Sequence, residues 1–198
     1  NDLDYIINHA EDQVIIVDAD ILPLLEKMKD RMPTVRQVIV ATEEGFEGWT
    51  TQLPNPIDYE DFIAGQPTNY EWPQIDENSP MGLCYTSGTT GNPKGVVYSH
   101  KTTYLHALAS RSVDSFGVQE RDTILMLPAM FHANAWGFPY SGWMSGADMI
   151  MPGPHTQLEH LKSMILASQP TLTAMVPTIL GDLLRDESLT EEHMGSFR

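Results

Sequence analysis

The sequence predicts an α/β fold, because short apolar runs typical of buried strands alternate with stretches whose apolar residues have helical spacing. The clearest example lies near the start of the chain. An apolar run at 14–17 is followed by helical spacing over 21–31 and by a second apolar run at 38–41. Two strands joined by a helical crossover usually lie parallel in one sheet, so we expect a mostly parallel sheet with flanking helices.

The same alternation returns in the second half of the chain. Residues 42–80 contain repeated Gly and Pro, which predict a long surface connection with one short helix at 58–64. Ser99 is a candidate N-cap for a helix that extends to about residue 112. The other predicted elements are strands at 81–86, 95–98, 123–127, 147–151 and 172–176, a helix at 156–168, and a closing helix whose first turn contains Pro177.

The charge balance of the chain is strongly acidic. Its 198 residues contain 27 Asp and Glu against 11 Lys and Arg, which gives a formal net charge of −16. No basic stripe is present that could neutralise nucleic-acid phosphates, so a nucleic-acid-binding protein is excluded. The overall field also opposes a bound polyphosphate, so a site for such an anion would depend on local donors.

Cys84 is the single cysteine of the sequence, which excludes an intrachain disulfide and a cysteine-based metal cluster. It lies in the apolar run 81–85, so we interpret it as a buried small hydrophobic residue and not as a catalytic thiol. One unpaired cysteine suits a reducing compartment, and we expect a cytoplasmic protein. The histidines have no spacing typical of a metal site.

Residues 123–147 contain no Asp, Glu, Lys or Arg and could be mistaken for a membrane span. Because Pro128, Pro139 and several Gly interrupt the segment, we expect it to form a buried wall or a ligand tunnel instead. The chain begins without Met and has no signal-peptide pattern, from which we expect an internal piece of a longer protein.

The segment 85–95, Tyr-Thr-Ser-Gly-Thr-Thr-Gly-Asn-Pro-Lys-Gly, has the composition of a polyphosphate-binding loop. Its glycines permit conformations that direct successive N–H groups at one anion, and Lys94 adds a positive charge. A Thr hydroxyl can also complete a Mg²⁺ shell made mostly of water and phosphate oxygen. A flexible linker is the alternative that composition permits, whereas a P-loop NTPase is excluded because Gly-Lys-Ser/Thr is absent. The candidate ligand-binding residues are Thr86, Ser87, Gly88, Thr89, Thr90, Gly91 and Lys94.

This loop resembles the signature loop of the adenylate-forming superfamily, which includes acyl-CoA synthetases, luciferases and the adenylation domains of peptide synthetases. Two further segments match at the family's spacing, Leu-Pro-Ala-Met-Phe-His-Ala-Asn-Ala-Trp at 127–136 and Val-Pro-Thr at 176–178. The sequence around His132 and Trp136 is most similar to bacterial medium- and long-chain fatty acyl-CoA synthetases. The resemblance covers the whole chain and implies a three-layer α/β fold, part of the family's large N-terminal domain.

The resemblance also implies roles for individual residues. In that family the loop holds the β- and γ-phosphates of ATP, and the position of Thr86 helps to bind Mg²⁺. The position of His132 lies where the acyl and nucleotide pockets meet, and that of Trp136 is a gate to the acyl tunnel. Lys94 and His132 are thereby implied as catalytic residues, with ATP, Mg²⁺, coenzyme A and a fatty acid as ligands. Without the resemblance, His132 would be interpreted as a hydrogen-bonded core residue and Trp136 as ordinary core packing.

Other parts of the family pattern are not found in the sequence. A Tyr/Phe-Gly-x-Thr-Glu segment is absent, and a ribose-binding Asp, a hinge and a C-terminal catalytic Lys would have to follow residue 198. We therefore expect 1–198 to be a partial N-terminal domain, composed of 1–41, 42–80 and 81–198 and lacking the C-terminal domain. We expect little ligase activity from it alone, and a homodimer of the parent protein. The alternatives are an aryl- or short-chain acyl-CoA ligase and a non-catalytic nucleotide-binding module.

Overall fold

The computed structural model describes residues 2–42, 48–86 and 91–198. The chain divides into two compact units, and each is described by itself below. The first unit comprises Asn1–Gln74 and Thr86–Gly95, and the second comprises Ile75–Tyr85 and Val96–Arg198. Both contain parallel sheets with flanking helices, which confirms the predicted α/β class.

The first unit is built on a three-stranded parallel sheet of order β1-β2-β3. Its elements are α1 (Asp2–His9), β1 (Val14–Asp18), α2 (Leu22–Glu26), β2 (Gln37–Ala41), β3 (Pro56–Asp58) and α3 (Tyr59–Ile63). The central strand is the most buried, with Val38 and Val40 fully inaccessible. Strand β3 lies inside the segment predicted to be an irregular connection, and it was missed because three residues are too few to show an alternating pattern.

The helix predicted over 21–31 is wrong in its extent. Only α2 is α-helical, and 3₁₀ turns at Ala19–Ile21 and Lys29–Arg31 replace the rest. Leu22, Leu25 and Met28 are all buried in the hydrophobic cluster of this unit. The helix was predicted from the spacing of Ile21, Leu24, Leu25 and Met28, and of these only Leu25 and Met28 are buried, whereas Ile21 and Leu24 are exposed. The predicted spacing therefore does not mark one buried helical face.

The second unit contains a parallel sheet of order β7-β6-β8. Strands β4 and β5 form a separate two-stranded sheet. The elements are β4 (Pro80–Thr86), β5 (Lys94–Ser99), α4 (His100–Ser110), β6 (Thr123–Leu125), α5 (Ala133–Trp136), α6 (Phe138–Ser145), β7 (Asp148–Ile150), α7 (Leu158–Ser168), β8 (Leu172–Thr173), α8 (Pro177–Arg185) and α9 (Glu191–Met194).

The predicted N-cap of α4 is confirmed. The Ser99 hydroxyl accepts a hydrogen bond from the backbone N–H of Thr102 at 3.1 Å, and the Ser99 backbone N–H donates to the Thr102 hydroxyl at 3.0 Å. This reciprocal pair is a capping box, which fixes where the helix begins. Strands β6 and β8 are shorter than predicted, and the short helix α9 was not predicted.

Strand β6 separates two hydrophobic clusters of the second unit. Ile124 and Met126 pack in one cluster with Phe138, whereas Leu125 packs in the other with Leu161. Successive side chains of a strand point to opposite faces, so both faces of this sheet are covered. The uncharged segment 123–147 is accordingly divided between β6, α5 and α6. No helix within the described residues is both long enough and apolar enough to cross a membrane.

Candidate active site

The glycine-rich loop runs between the end of β4 and the start of β5. Thr86 is the last residue of β4, and Lys94 is the first residue of β5. The Thr86 hydroxyl donates a hydrogen bond to the Lys94 carbonyl at 3.4 Å, which links the two ends of the loop. Four of the predicted ligand-binding residues lie outside the described part of the chain, namely Ser87, Gly88, Thr89 and Thr90.

The described end of the loop has properties that suit an anion. Gly91 has a φ of +86° and open space around it, a left-handed conformation that favours glycine and lets a ligand approach the backbone. The Lys94 side chain is exposed, and no carboxylate within residues 2–42, 48–86 and 91–198 forms an ion pair with it. Its charge is therefore available to a phosphate, despite the acidic composition of the chain.

The donor set around this loop suits Mg²⁺ bound together with a polyphosphate. Among the described residues, no group of three or more His, Cys, Asp or Glu side chains could hold a metal ion by itself. Mg²⁺ usually retains water and phosphate oxygens and takes only one or two protein ligands. The exposed Thr86 hydroxyl, beside an exposed lysine, fits such a shell.

The second predicted site segment contains an unusual backbone. Ala133, Asn134, Ala135 and Trp136 have φ between +49° and +56°, and Gly137 follows with +76°. For residues with a Cβ, the left-handed helical conformation costs about 1–2 kcal/mol each, so four in succession need compensating contacts. We call residues 133–137 the left-handed turn.

Two hydrogen bonds and one buried methyl group hold the left-handed turn. The Nε2 of His106 lies 2.9 Å from the Trp136 carbonyl, so this nitrogen must donate. The Cys84 thiol donates to the Asn134 side-chain oxygen at 3.2 Å, and Ala135 is fully buried. The prediction that Cys84 is a buried hydrophobic residue is therefore wrong in part, because its half-buried thiol has a polar partner.

Neither His132 nor Trp136 is a core residue. The His132 side chain is exposed, and its backbone N–H donates to the Ala129 carbonyl at 3.0 Å. The Trp136 side chain is 41% exposed and lines a cavity of about 540 Å³ between α4 and the left-handed turn. His106, which fixes Trp136, was missed by sequence reasoning because nothing in its spacing connects it with a residue 30 positions away.

We call the cavity beside Trp136 the proximal cavity. Its lining is mostly apolar and aromatic, which suits a hydrocarbon ligand. A second apolar cavity of about 680 Å³, the distal cavity, lies along α4 and α6. The proximal cavity is lined by Tyr98, Thr102, Thr103, His106, Phe116, Ala133, Asn134, Trp136, Gly137 and Tyr140.

Comparison with known proteins identifies the family of this chain. The family model described as AMP-binding enzyme matches residues 1–198. The medium-chain-fatty-acid–CoA ligase of Ectopseudomonas oleovorans is 42% identical over 180 residues, which are 91% of this chain and 33% of that protein. The 3-methylmercaptopropionyl-CoA ligase of Ruegeria lacuscaerulensis is 44% identical over 180 residues, with the same two shares. The chain thus spans about one third of the length of these curated relatives.

The fold also matches that of a solved adenylate complex. The crystal structure of the anthranilate CoA ligase AuaEII with anthranoyl-AMP has a TM-score of 0.78 and 28% identity, and covers 100% of this chain and 37% of that protein. On the family model and these relatives together, the chain belongs to the AMP-binding enzyme family.

Proposed function

We propose that the protein containing this chain is an ATP-dependent fatty acid–CoA ligase, and that the proximal cavity takes part of the acyl chain. The observation that supports this most directly is the half-exposed Trp136 ring on the wall of a largely apolar cavity. A cavity of this size and lining suits a hydrocarbon chain better than a polar substrate. The relative from Ectopseudomonas oleovorans, named a medium-chain-fatty-acid–CoA ligase, supports the same substrate class.

The proposed reaction has two steps. A fatty acid carboxylate oxygen attacks the α-phosphorus of ATP, which forms acyl-AMP and releases pyrophosphate. The sulfur of coenzyme A then attacks the acyl carbon, which forms the thioester, and AMP leaves with the electron pair of the broken C–O bond. The first step joins two anions, so it needs cations and N–H donors around the phosphates.

This chain supplies several of those groups. Lys94 would hold the β- and γ-phosphates with the loop amides, and His132 would orient the carboxylate where acid and nucleotide meet. Thr86 would contribute one hydroxyl to Mg²⁺, which polarises phosphate oxygens when it is bound. Trp136 would admit the acyl chain to the proximal cavity. We propose the same binding role for Ser87, Gly88, Thr89, Thr90 and Gly91.

The scope of the activity follows from what residues 1–198 contain. We propose that they form part of the large N-terminal domain of a cytoplasmic, homodimeric ligase. The adenine-side, ribose-binding and C-terminal lysine motifs of the family do not occur in the sequence. We therefore expect the 198-residue chain to have little activity alone.

The test is pyrophosphate release by the full-length protein with ATP and Mg²⁺, across fatty acids of increasing length and with acetate and benzoate. We expect release to be greatest with a medium or long fatty acid. Lys94→Ala should lower kcat by about 10²–10³-fold, the usual effect of removing one group that stabilises transition-state charge. Lys27→Ala, which removes an exposed lysine from the same unit, is the matched control.

Two results would contradict the proposal. If none of the tested acids supports pyrophosphate release, ligase activity is excluded and a non-catalytic nucleotide-binding module is favoured. Equal activity of Lys94→Ala and Lys27→Ala would exclude the phosphate role of Lys94.

A short acid is the second candidate substrate, because a 44% identical relative is named a 3-methylmercaptopropionyl-CoA ligase. A maximum with acetate or a similarly short acid would select that candidate.

A further inference from the structure

We propose that Tyr140 and Thr103 form a partition between the proximal and distal cavities, and that this partition limits the length of the acyl chain. The inference rests on the proposed function, since it concerns the same acyl substrate. The two cavities share two lining residues, Thr103 on α4 and Tyr140 on α6. Without this partition, the hydrocarbon path would extend from the proximal cavity of about 540 Å³ into the distal one of about 680 Å³.

The distal cavity is suited to hydrocarbon. Apolar and aromatic side chains supply most of its wall, and Glu77 and Lys101 at its edge pair with each other at 2.6 Å. Because Lys101 is paired with Glu77, its charge is not free to attract a carboxylate head group. The apolar wall consists of Ile75, Met81, Tyr104, Leu105, Trp143 and Met144.

The Tyr140 ring forms the α6 side of the partition. The backbone of α6 is fixed by close packing, whereas the ring is held less tightly. The next residue, Ser141, is fully buried, and a Cβ at Gly142 would lie 2.9 Å from the Met149 sulfur. Helix α6 is therefore packed too closely to shift. The ring itself is half-buried, and its hydroxyl donates to a weak acceptor, the Met81 sulfur at 3.7 Å.

Thr103 forms the α4 side of the partition. Its hydroxyl oxygen is buried and has no hydrogen-bond partner within the described structure. Because this oxygen is already shielded from water, an acyl chain that passes it adds no new desolvation cost. Thr103 therefore limits the path by its volume, as the side chain that shares both cavity walls with Tyr140.

The test uses the full-length protein and compares the acyl-length profile of kcat/KM for pyrophosphate release. Tyr140→Ala should move the optimum to longer acids, because it joins the cavities. Thr103→Ala shortens the other side chain of the partition and should move the optimum in the same direction, whereas Thr103→Val keeps the side-chain volume and should leave the optimum where it is. Tyr140→Phe keeps the ring and should leave the profile unchanged, as should Tyr70→Ala, which removes a well-exposed tyrosine from the first unit.

The possible outcomes separate this inference from the proposed function. Unchanged profiles for both Tyr140→Ala and Thr103→Ala, in an active enzyme, would overturn the partition and leave the ligase assignment intact. If Tyr140→Ala fails to fold, as thermal melting would show, Thr103→Ala alone decides. If wild type releases no pyrophosphate, the ligase assignment fails, and displacement of a fluorescent fatty acid by carboxylates of increasing length tests the partition. The same shift towards longer chains would support it, and identical displacement series would overturn it.

Discussion

Asp122 provides the sharpest test of what stabilises the second unit. Its side chain is 1% exposed and accepts hydrogen bonds from the Arg198 guanidinium, the Gln119 backbone N–H and the Thr171 hydroxyl, each with a contact of 2.8 Å. The Arg198 guanidinium is the main reason why the pKa of Asp122 falls from 3.8 to about 2, against the opposing effect of burial. We predict that Asp122→Asn lowers the free energy of unfolding of this unit substantially at neutral pH.

The size of the effect follows from two estimates. A lowering of the Asp122 pKa from 3.8 to about 2 favours the charged form by roughly 2 kcal/mol, at about 1.4 kcal/mol for each pKa unit. Removing one partner of a buried pair usually costs about 3–5 kcal/mol, because the other charge remains unpaired. Arg198 keeps some access to water, so we expect a loss of about 2–4 kcal/mol.

The direction of the pKa shift determines how the stability contribution of Asp122 changes with pH. A depressed carboxyl pKa contributes stability that is fully present above the unfolded value of 3.8 and is lost as pH falls through the folded value of about 2. The difference between wild type and Asp122→Asn should therefore be constant above pH 4 and should shrink between about 4 and 2.

The assay is urea unfolding of the chain, followed by circular dichroism and tryptophan fluorescence at several pH values. Asp114→Asn, at an exposed position of the same unit, is the matched control and should have almost no effect. If the two units unfold separately, only the transition of the second should move. A loss below about 1 kcal/mol at pH 7, or one that stays constant down to pH 2, would refute the reasoning.

Two further predictions concern packing in the second unit. Gly137→Ala should destabilise the chain by more than Gly153→Ala does. Both glycines have positive φ, but the new Cβ would lie 2.6 Å from the His106 Nε2 at position 137, whereas it would meet no atom within 4 Å at position 153. Thermal melting of both variants measures the difference, and equal melting temperatures would contradict the prediction. Leu125→Ala should cost about 2–5 kcal/mol in urea unfolding, because Leu125 is fully inaccessible in its cluster; a cost below about 1 kcal/mol would show that the site collapses around the smaller residue.

Much of the fold was predictable because local signals and burial agree. The apolar runs at 14–17 and 38–41 became the paired strands β1 and β2, and Ser99 caps α4 where its hydroxyl meets the N–H of Thr102. Prediction failed where the local pattern does not match the packing. Ile21 and Leu24 contribute to the helical spacing over 21–31 but are exposed, and 3₁₀ turns flank the short α2. Strand β3 is too short to show a pattern of its own and is defined by its pairing with β2.

The sequence predicts the phosphate loop of the candidate site better than it predicts the surroundings of Trp136. The motif at 85–95 identifies the phosphate loop by composition and order, and the described Thr86 and Lys94 stand at its two ends. The surroundings of Trp136 were not predictable, since His106 and Tyr140 belong to helices whose sequences carry no functional motif. Only the packing of α4 beside α6 brings these side chains to the cavity walls.

The left-handed turn shows why the surroundings of Trp136 depend on structure. A run of Ala-Asn-Ala-Trp has no local preference for positive φ, and its conformation opposes intrinsic propensity by several kcal/mol at about 1–2 kcal/mol per residue. Contacts distant in sequence offset this cost, namely the thiol of Cys84, the ring of His106 and the burial of Ala135. The His106 ring is the partner that bonds to the backbone of Trp136 itself. Such a backbone suits a residue that must sometimes move aside, which is the role we propose for Trp136 at the proximal cavity.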